Sequence, residues 1–407
     1  MKRKRHSLLA IGLAVVVSAC GTPRATQAPA STAAASASTS APAEADRWVV
    51  ADIEQPSAVQ TAPSLEPGYQ CHPCHFLAEN ELFDVADSSI GPIAVGVQQP
   101  PAQAVAFTLP DRGRWVPLPG FSGADGSSAL GVASRDERIV IVGQDATGAT
   151  TWASDGANWR QAPHQNDLEV PYSAGAMSAV TTFGDEFVAG GYRDDPLHSA
   201  ASAAAWRSRD GLTWRADDGG TAFAGGRILD IATGPAAVVA VGTHGDPTYG
   251  PAAAWRWTKT SGWQRARLEP DDSGAMRGVT TYPGGFVAVG ANADDHGARV
   301  WTSADGLTWT VVPDQPAFHY YTLPVRMHTV VAMPDGLVAA GLRFDAGKGS
   351  AVVWTSPDGT AWESRWETSF SGGEIDGLAA NGNSIVAVGR TGYPDWNTAT
   401  IWVTPAP

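Results

Sequence analysis

Three cysteines in 407 residues are too few to staple a small disulfide scaffold. Charged residues make up only 17%, and beyond residue 5 the only lysines are Lys259 and Lys348. Lys+Arg totals 27 against 41 Asp+Glu, a net charge of −14. Nucleic acid is therefore excluded as a partner, because binding it needs a basic stripe to displace counterions. The apolar run from Leu8 to Val17 falls short of the ~20 residues that a permanent membrane-spanning helix requires. Glycine (45), proline (29) and tryptophan (16) are plentiful, and 43% of residues are hydrophobic. That mixture suits many short strands joined by tight turns. The length allows several domains or one large all-β domain.

Residues 1–20 read MKRKRHSLLAIGLAVVVSAC: four basic residues near the start, an apolar stretch, then small residues. This is the pattern of a secretory signal. The run Val17-Ser18-Ala19-Cys20-Gly21 resembles the lipobox of bacterial lipoproteins. The resemblance implies removal of residues 1–19, a diacylglyceryl group on the Cys20 thiol, and a chain held at the extracytoplasmic side of the cell membrane. Anionic headgroups repel so acidic a chain, so the lipid on Cys20 is the membrane partner. Residues 20–46 are almost entirely Ala, Ser, Thr and Pro after the cysteine, with no large apolar residue to bury. They are expected to be a disordered linker reaching roughly 25–30 Å.

The remainder repeats. Segments 278–312 and 328–362 each carry four short apolar runs, the second ending in glycine and the third and fourth marked by tryptophan. That glycine recurs at Gly96, Gly143, Gly190, Gly242, Gly290, Gly341 and Gly389. The third run carries Phe107, Trp152, Trp206, Trp255, Trp301, Trp354 and Trp402; the fourth carries Trp115, Trp159, Trp214, Trp263, Trp309 and Trp362. A period near 48 with four strands predicts an all-β, seven-bladed β-propeller over 47–404. The seventh unit stops after its third strand. A strand near 47–52, where Arg47-Trp48-Val49-Val50 resembles a fourth run, is expected to close it. A Cys-containing insertion at about 54–80 follows.

Between third and fourth runs stand Ser154-Asp155-Gly156, Ser208-Arg209-Asp210-Gly211, Ser303-Ala304-Asp305-Gly306 and Ser356-Pro357-Asp358-Gly359, each leading to a tryptophan. These turns resemble the Asp-box (BNR) repeat of sialidase-like propellers, one residue shorter than the family pattern. The resemblance implies structural roles for Asp155, Asp210, Asp305 and Asp358. It also implies a working face at the opposite end, where the loops between second and third strands and between blades gather.

That face collects His164, His198, His244, His296, His319 and His328, with Asp195, Asp246, Asp295 and Asp345. Arg193, Arg227, Arg277, Arg326, Arg343 and Arg390 join them, as do Tyr320 and Tyr321. The leading reading is a ligand or partner funnel for a protein or glycan, without catalysis. The alternative is a glycoside hydrolase acting on extracellular polysaccharide. Sialidases hold a substrate carboxylate with three arginines, and Arg227, Arg277 and Arg326 start first strands. However, the family's Arg-Ile-Pro signature is absent. Glu169, Glu269 and Glu374 are available carboxylates that no motif places.

Cys71-His72-Pro73-Cys74-His75 matches the C-x-x-C-H haem-attachment spacing, but too few residues surround it to wrap a haem. With Cys20 lipidated, Cys71 and Cys74 form the remaining pair, and export favours a disulfide between them. A metal held by Cys71, His72, Cys74 and His75, or a redox role, stays open as the third alternative. No cofactor is otherwise expected.

Overall fold

A computed structural model describes residues 48–54 and 79–404, apart from 111–112, 157, 164, 166–174, 196–199, 246–249, 270–273, 322, 346–347 and 393–396. The expectations for Cys20, Cys71, His72, Cys74, His75, His164, His198 and Asp246 fall outside the described residues. Among the described residues no helix is long and apolar enough to cross a membrane.

Seven sheets, each built on antiparallel consecutive strands, succeed one another along the chain. Their first strands are Glu79–Ala86, Ser128–Arg135, Gly175–Phe183, Gly226–Thr233, Gly274–Tyr282, Val325–Met333 and Gly373–Asn381, here defining blades 1 to 7. Blade 7 takes its outermost strand from the other end of the chain. Val49 and Val50 pair with Val403 and Trp402, completing a sheet whose own strands end at Val403. A seven-bladed propeller results, closed by its N-terminal strand.

The core is divided into seven clusters, one at each blade-to-blade interface. The interface between blades 7 and 1 buries Leu82, Phe107 and Trp115 against Val388 and Ile401, so the ring is sealed by packing as well as pairing. Trp152, Trp206, Trp255, Trp301, Trp354 and Trp402 on the third strands are at most 2% exposed. Indoles this large fill the wedge between diverging sheets, and cutting one back to alanine costs about 3–5 kcal/mol. Several also use their N–H. Trp255 donates to the Ala222 carbonyl (2.6 Å), Trp354 to Ala317 (2.7 Å) and Trp402 to Ser369 (2.9 Å). Each carbonyl belongs to a one-turn 3-10 helix that precedes the blade's first strand: Gly220–Ala222, Pro316–Phe318 and Thr368–Phe370.

Every first strand carries a β-bulge at the same place. The residue left out of register is Phe83, Leu130, Ser178, Leu229, Arg277, His328 or Asp376 in blades 1 to 7. The residue before it is always apolar and fully buried: Leu82, Ala129, Met177, Ile228, Met276, Met327 and Ile375. The bulge pushes a carbonyl of the first strand toward the second, where only a residue without Cβ fits. That residue is Gly96, Gly143, Gly191, Gly242, Gly290, Gly341 and Gly389, and a Cβ on any of them would overlap the facing carbonyl oxygen. In blade 3 the required glycine is therefore Gly191, not the adjacent Gly190. Gly190 pairs with Ala179 beyond the bulge, where its hydrogen leaves room for Ile228 of the next blade.

The position after the bulge is small in five blades and Asp84 or Asp230 in the others. Asp84 accepts the N–H of Val85 (2.8 Å) and of Val132 in blade 2 (2.9 Å). Asp230 accepts those of Ile231 and of Val279 in blade 5, both at 2.7 Å. These carboxyls stitch neighbouring first strands together. Burial pushes Asp84 up to about 7 and Asp230 up to about 6, against the pull of those N–H groups. The raised values mean that folding favours the protonated acids. Their contribution is complete below the ordinary carboxylate range and is lost as pH rises through about 6 to 7. Thermal unfolding of the wild type and of Asp84→Asn, followed from about pH 5 to about pH 8, should show the variant gaining on the wild type as pH rises. A gap independent of pH would show that Asp84 does not titrate in the folded protein.

The turns between third and fourth strands are held by their own side chains. Asp358 Oδ1 accepts the N–H groups of Thr360 (2.8 Å) and Ala361 (3.0 Å), and these hold its carboxyl below its ordinary value. Ser356 Oγ takes Gly359 N–H, and Trp362 Nε1 returns a bond to the Gly359 carbonyl. Asp210 and Asp305 repeat this around Gly211 and Gly306, whereas Asp155 makes a reduced version, accepting Asn158 N–H (3.0 Å). The glycines take positive φ, from 73° to 92°.

The outer sheet edges are also covered. Asp52 and Glu54 bracket Trp115 with backbone bonds, and Arg267–Glu269 lies parallel to the fourth strand of blade 5. Elsewhere side chains substitute. Gln165 and Gln315 each accept the N–H of a fourth-strand tryptophan, Trp214 or Trp362, while donating to Leu212 or Thr360. Glu367 accepts Trp48 N–H on the closing strand (3.1 Å).

Candidate functional site

The bulge fixes which side chains reach the central channel. Residues at the bulge and two positions before it share the channel side of each first strand, because alternation sends the residue between them into the core. Blades 1 to 4 place Phe83, Leu130, Ser178 and Leu229 at the bulge, all of them apolar or small. Blades 5 to 7 place Arg277, His328 and Asp376 there. Two residues earlier stand Glu81, Arg227, Arg326 and Glu374. The charge is thus gathered on one side, over blades 4 to 7 and 1, at the end where first strands begin and second strands finish.

These groups form one network. Arg390, near the end of the second strand of blade 7, donates from Nε (3.0 Å) and Nη2 (2.5 Å) to Glu374 Oε2. It also pairs with Glu81 of blade 1, bridging the seam where the ring closes. His328 Nδ1 lies 2.8 Å from Asp376 Oδ1 and 3.5 Å from Glu374 Oε1. Arg326 reaches Asp295 at 3.3 Å. Asp295 is 8% exposed and has φ of 60°, and its carbonyl accepts Val325 N–H, tying the loop of blade 5 to the start of blade 6.

The electrostatics follow from burial plus neighbours. Burial and the adjacent Arg326 lower Arg277 from its ordinary value. Burial alone would lower Arg390 too, but Glu374 and Glu81 outweigh it and raise it. Glu374 would be raised by burial, yet His328 and Arg390 hold it low. Asp376 goes the other way: burial raises it in spite of its bond to His328. Arg326 Nε and Asp376 Oδ2 are buried without a hydrogen-bond partner among the described residues.

Beside this network runs an arginine–aromatic shelf. The Arg343 guanidinium sits 4.2 Å from the Tyr320 ring and 5.1 Å from Trp366. Arg326 lies 5.8 Å from Phe344. Tyr321 packs edge-on to Tyr320, is 84% exposed, and adopts φ of 56°, a conformation that bulky residues rarely take. His319 is exposed and bonds Asp314 at 2.7 Å.

The structure brings together Arg277, Asp295, Arg326, His328 and Arg390, with Arg343, Tyr320 and Tyr321 alongside. It leaves others apart. Arg227 stacks on Tyr192 (4.0 Å) and Arg193 lies over Trp206 (5.3 Å), across blades 3 and 4. His244 ends the second strand of blade 4, and His296 is exposed in the loop carrying Asp295. Asp195 and Asp345 end second strands in blades 3 and 6. Reading by residue type missed Glu81 and Asp376. Aligning Glu81-Leu-Phe-Asp, Arg326-Met-His-Thr and Glu374-Ile-Asp-Gly on their buried apolar residue would have placed both.

No protein-family model matches the chain, and no curated protein matches it. Solved structures do resemble it. A structure described as YCF48 bound to D1 peptide superposes with TM-score 0.54 at 13% identity, covering 81% of this chain and 93% of that one. The Pyrococcus horikoshii acylaminoacyl peptidase gives 0.48 at 8%, covering 80% of this chain and 51% of that one. The Trypanosoma rangeli sialidase, in complex with a difluoro sugar acid, gives 0.48 at 8%, covering 80% and 53%. The fold is shared. This chain spans about half the length of the last two, and identities this low carry no activity across.

Arg390 carries the buried carboxylate of Glu374 and the partly buried one of Glu81. Arg390→Ala should cost about 3–5 kcal/mol in denaturant unfolding, since it strands charges rather than merely losing a pair. Adding Glu374→Gln to that variant should recover part of the loss. An additive double variant would show that the network contributes no coupling.

Proposed function

We propose that this chain is a lipid-anchored extracytoplasmic binding protein, whose propeller holds an acidic protein segment at the channel mouth over blades 5 to 7. The observation that carries the reading is Arg277 beside Arg326 in the channel, with the shelf of Arg343, Tyr320, Tyr321 and Trp366 at the same end of blade 6. Guanidinium groups in a half-buried mouth favour carboxylates, and exposed rings supply area at low entropic cost. The structural neighbour described as bound to a peptide supports a protein rather than a sugar as occupant. The anchor rests on the lipobox resemblance at Cys20.

In-cell cross-linking of the intact chain should enrich a specific protein. A variant with Arg277, Arg326, His319 and Tyr321 changed to Ala should lose it while keeping the wild-type circular dichroism. Equal recovery by both would remove the channel mouth from consideration. Cys20→Ser should move the chain out of the membrane fraction; a variant that stays there would refute the lipid anchor.

A further inference from the structure

We propose that His328, Glu374 and Asp376 form a site for one divalent transition-metal ion at the charged side of the channel. His328 occupies the bulge of blade 6 and Asp376 that of blade 7, with Glu374 two residues before it. One ligand atom from each lies within 4.8 Å of the others. Bonds of about 2.0–2.2 Å put neighbouring ligand atoms of a tetrahedral site ~3.3–3.5 Å apart. His328 Nδ1 and Glu374 Oε1 stand 3.5 Å apart.

The donors become available once the ion displaces the proton shared by His328 Nδ1 and Asp376 Oδ1. Arg390 binds Glu374 through Oε2 and leaves Oε1 toward His328. Asp376 makes its one hydrogen bond among the described residues to His328, through Oδ1. Its Oδ2 is buried without a partner, an arrangement that a cation would repair. The arginines do not cancel the acids. Arg326 is paired with Asp295, and Arg390 with Glu81 and Glu374 Oε2, so Glu374 Oε1 and Asp376 are the acids left to meet an incoming cation. One imidazole and two carboxylates are donors for zinc and the divalent ions near it, and three protein ligands leave a coordination position open. Arg390, fixed by Glu81 as well, orients the glutamate from outside, as partners of metal ligands commonly do. The site is independent of the peptide reading and requires no occupant there.

The test is zinc uptake by the full-length chain without a polyhistidine tag, after equilibrium dialysis. One ion per chain is expected. His328→Ala and Asp376→Asn should each weaken uptake more than about tenfold. The Cys71→Ser/Cys74→Ser variant should bind as the wild type does. Cobalt substitution should give a spectrum without the intense thiolate charge-transfer band, a readout that stands even if a variant fails to fold. No uptake, uptake indifferent to His328 and Asp376, or uptake lost with the two cysteines would each overturn the proposal.

Discussion

The bulge in each first strand, matched by a glycine in the second, is the constraint on which the architecture depends. Seven strands crowding one axis need a backbone that bends and twists sharply. An extra residue supplies that bend at the cost of a carbonyl thrust sideways. Gly96 and its six counterparts accept that carbonyl. Beyond the bulge the neighbouring strands close in so far that a Cβ on Gly278 or Gly377 would strike the next blade's backbone. Asp84 and Asp230 are tolerated only because each caps a backbone N–H of the following blade. Packing, register and channel lining descend from this one motif.

The same motif explains why the site has its shape. The bulge sets which side chains turn to the channel, so every blade offers the bulge position and the one two residues before it. Four blades spend the bulge position on Phe83, Leu130, Ser178 and Leu229, and three on Arg277, His328 and Asp376. Charge is therefore confined to one arc. Within that arc Arg390 spans from blade 7 to blade 1, placing an ion pair across the same seam that Val49 and Val50 close at the periphery.

Much of this was legible in the residues because it repeats. Tryptophans at fixed intervals announce wedges, and the serine–aspartate–glycine turns announce hairpins. An unfinished seventh unit beside a spare Trp48 announces closure. What escaped is what a repeat conceals. Gly190 and Gly191 are adjacent glycines, and only pairing of Gly191 with Met177 tells which one faces the bulge. Asp376 looks like an ordinary turn acid until the register shows it stranded in mid-strand. Gln165, Gln315 and Glu367 carry no signal at all, since a side chain that completes a backbone edge is recognisable only when the edge is in view.

Closure by residues at opposite ends of the chain has a consequence for biosynthesis. Val49 cannot find Val403 until all seven blades have been made. The loop so closed exceeds 350 residues by the numbering of its partners, among the most non-local contacts a chain of this length can make. Until Val403 has been made, blade 7 stays one strand short and the packing between blades 7 and 1 is incomplete. A chain in that condition keeps an unpaired strand edge that a chaperone can hold, and its ring closes only after Val403 has emerged.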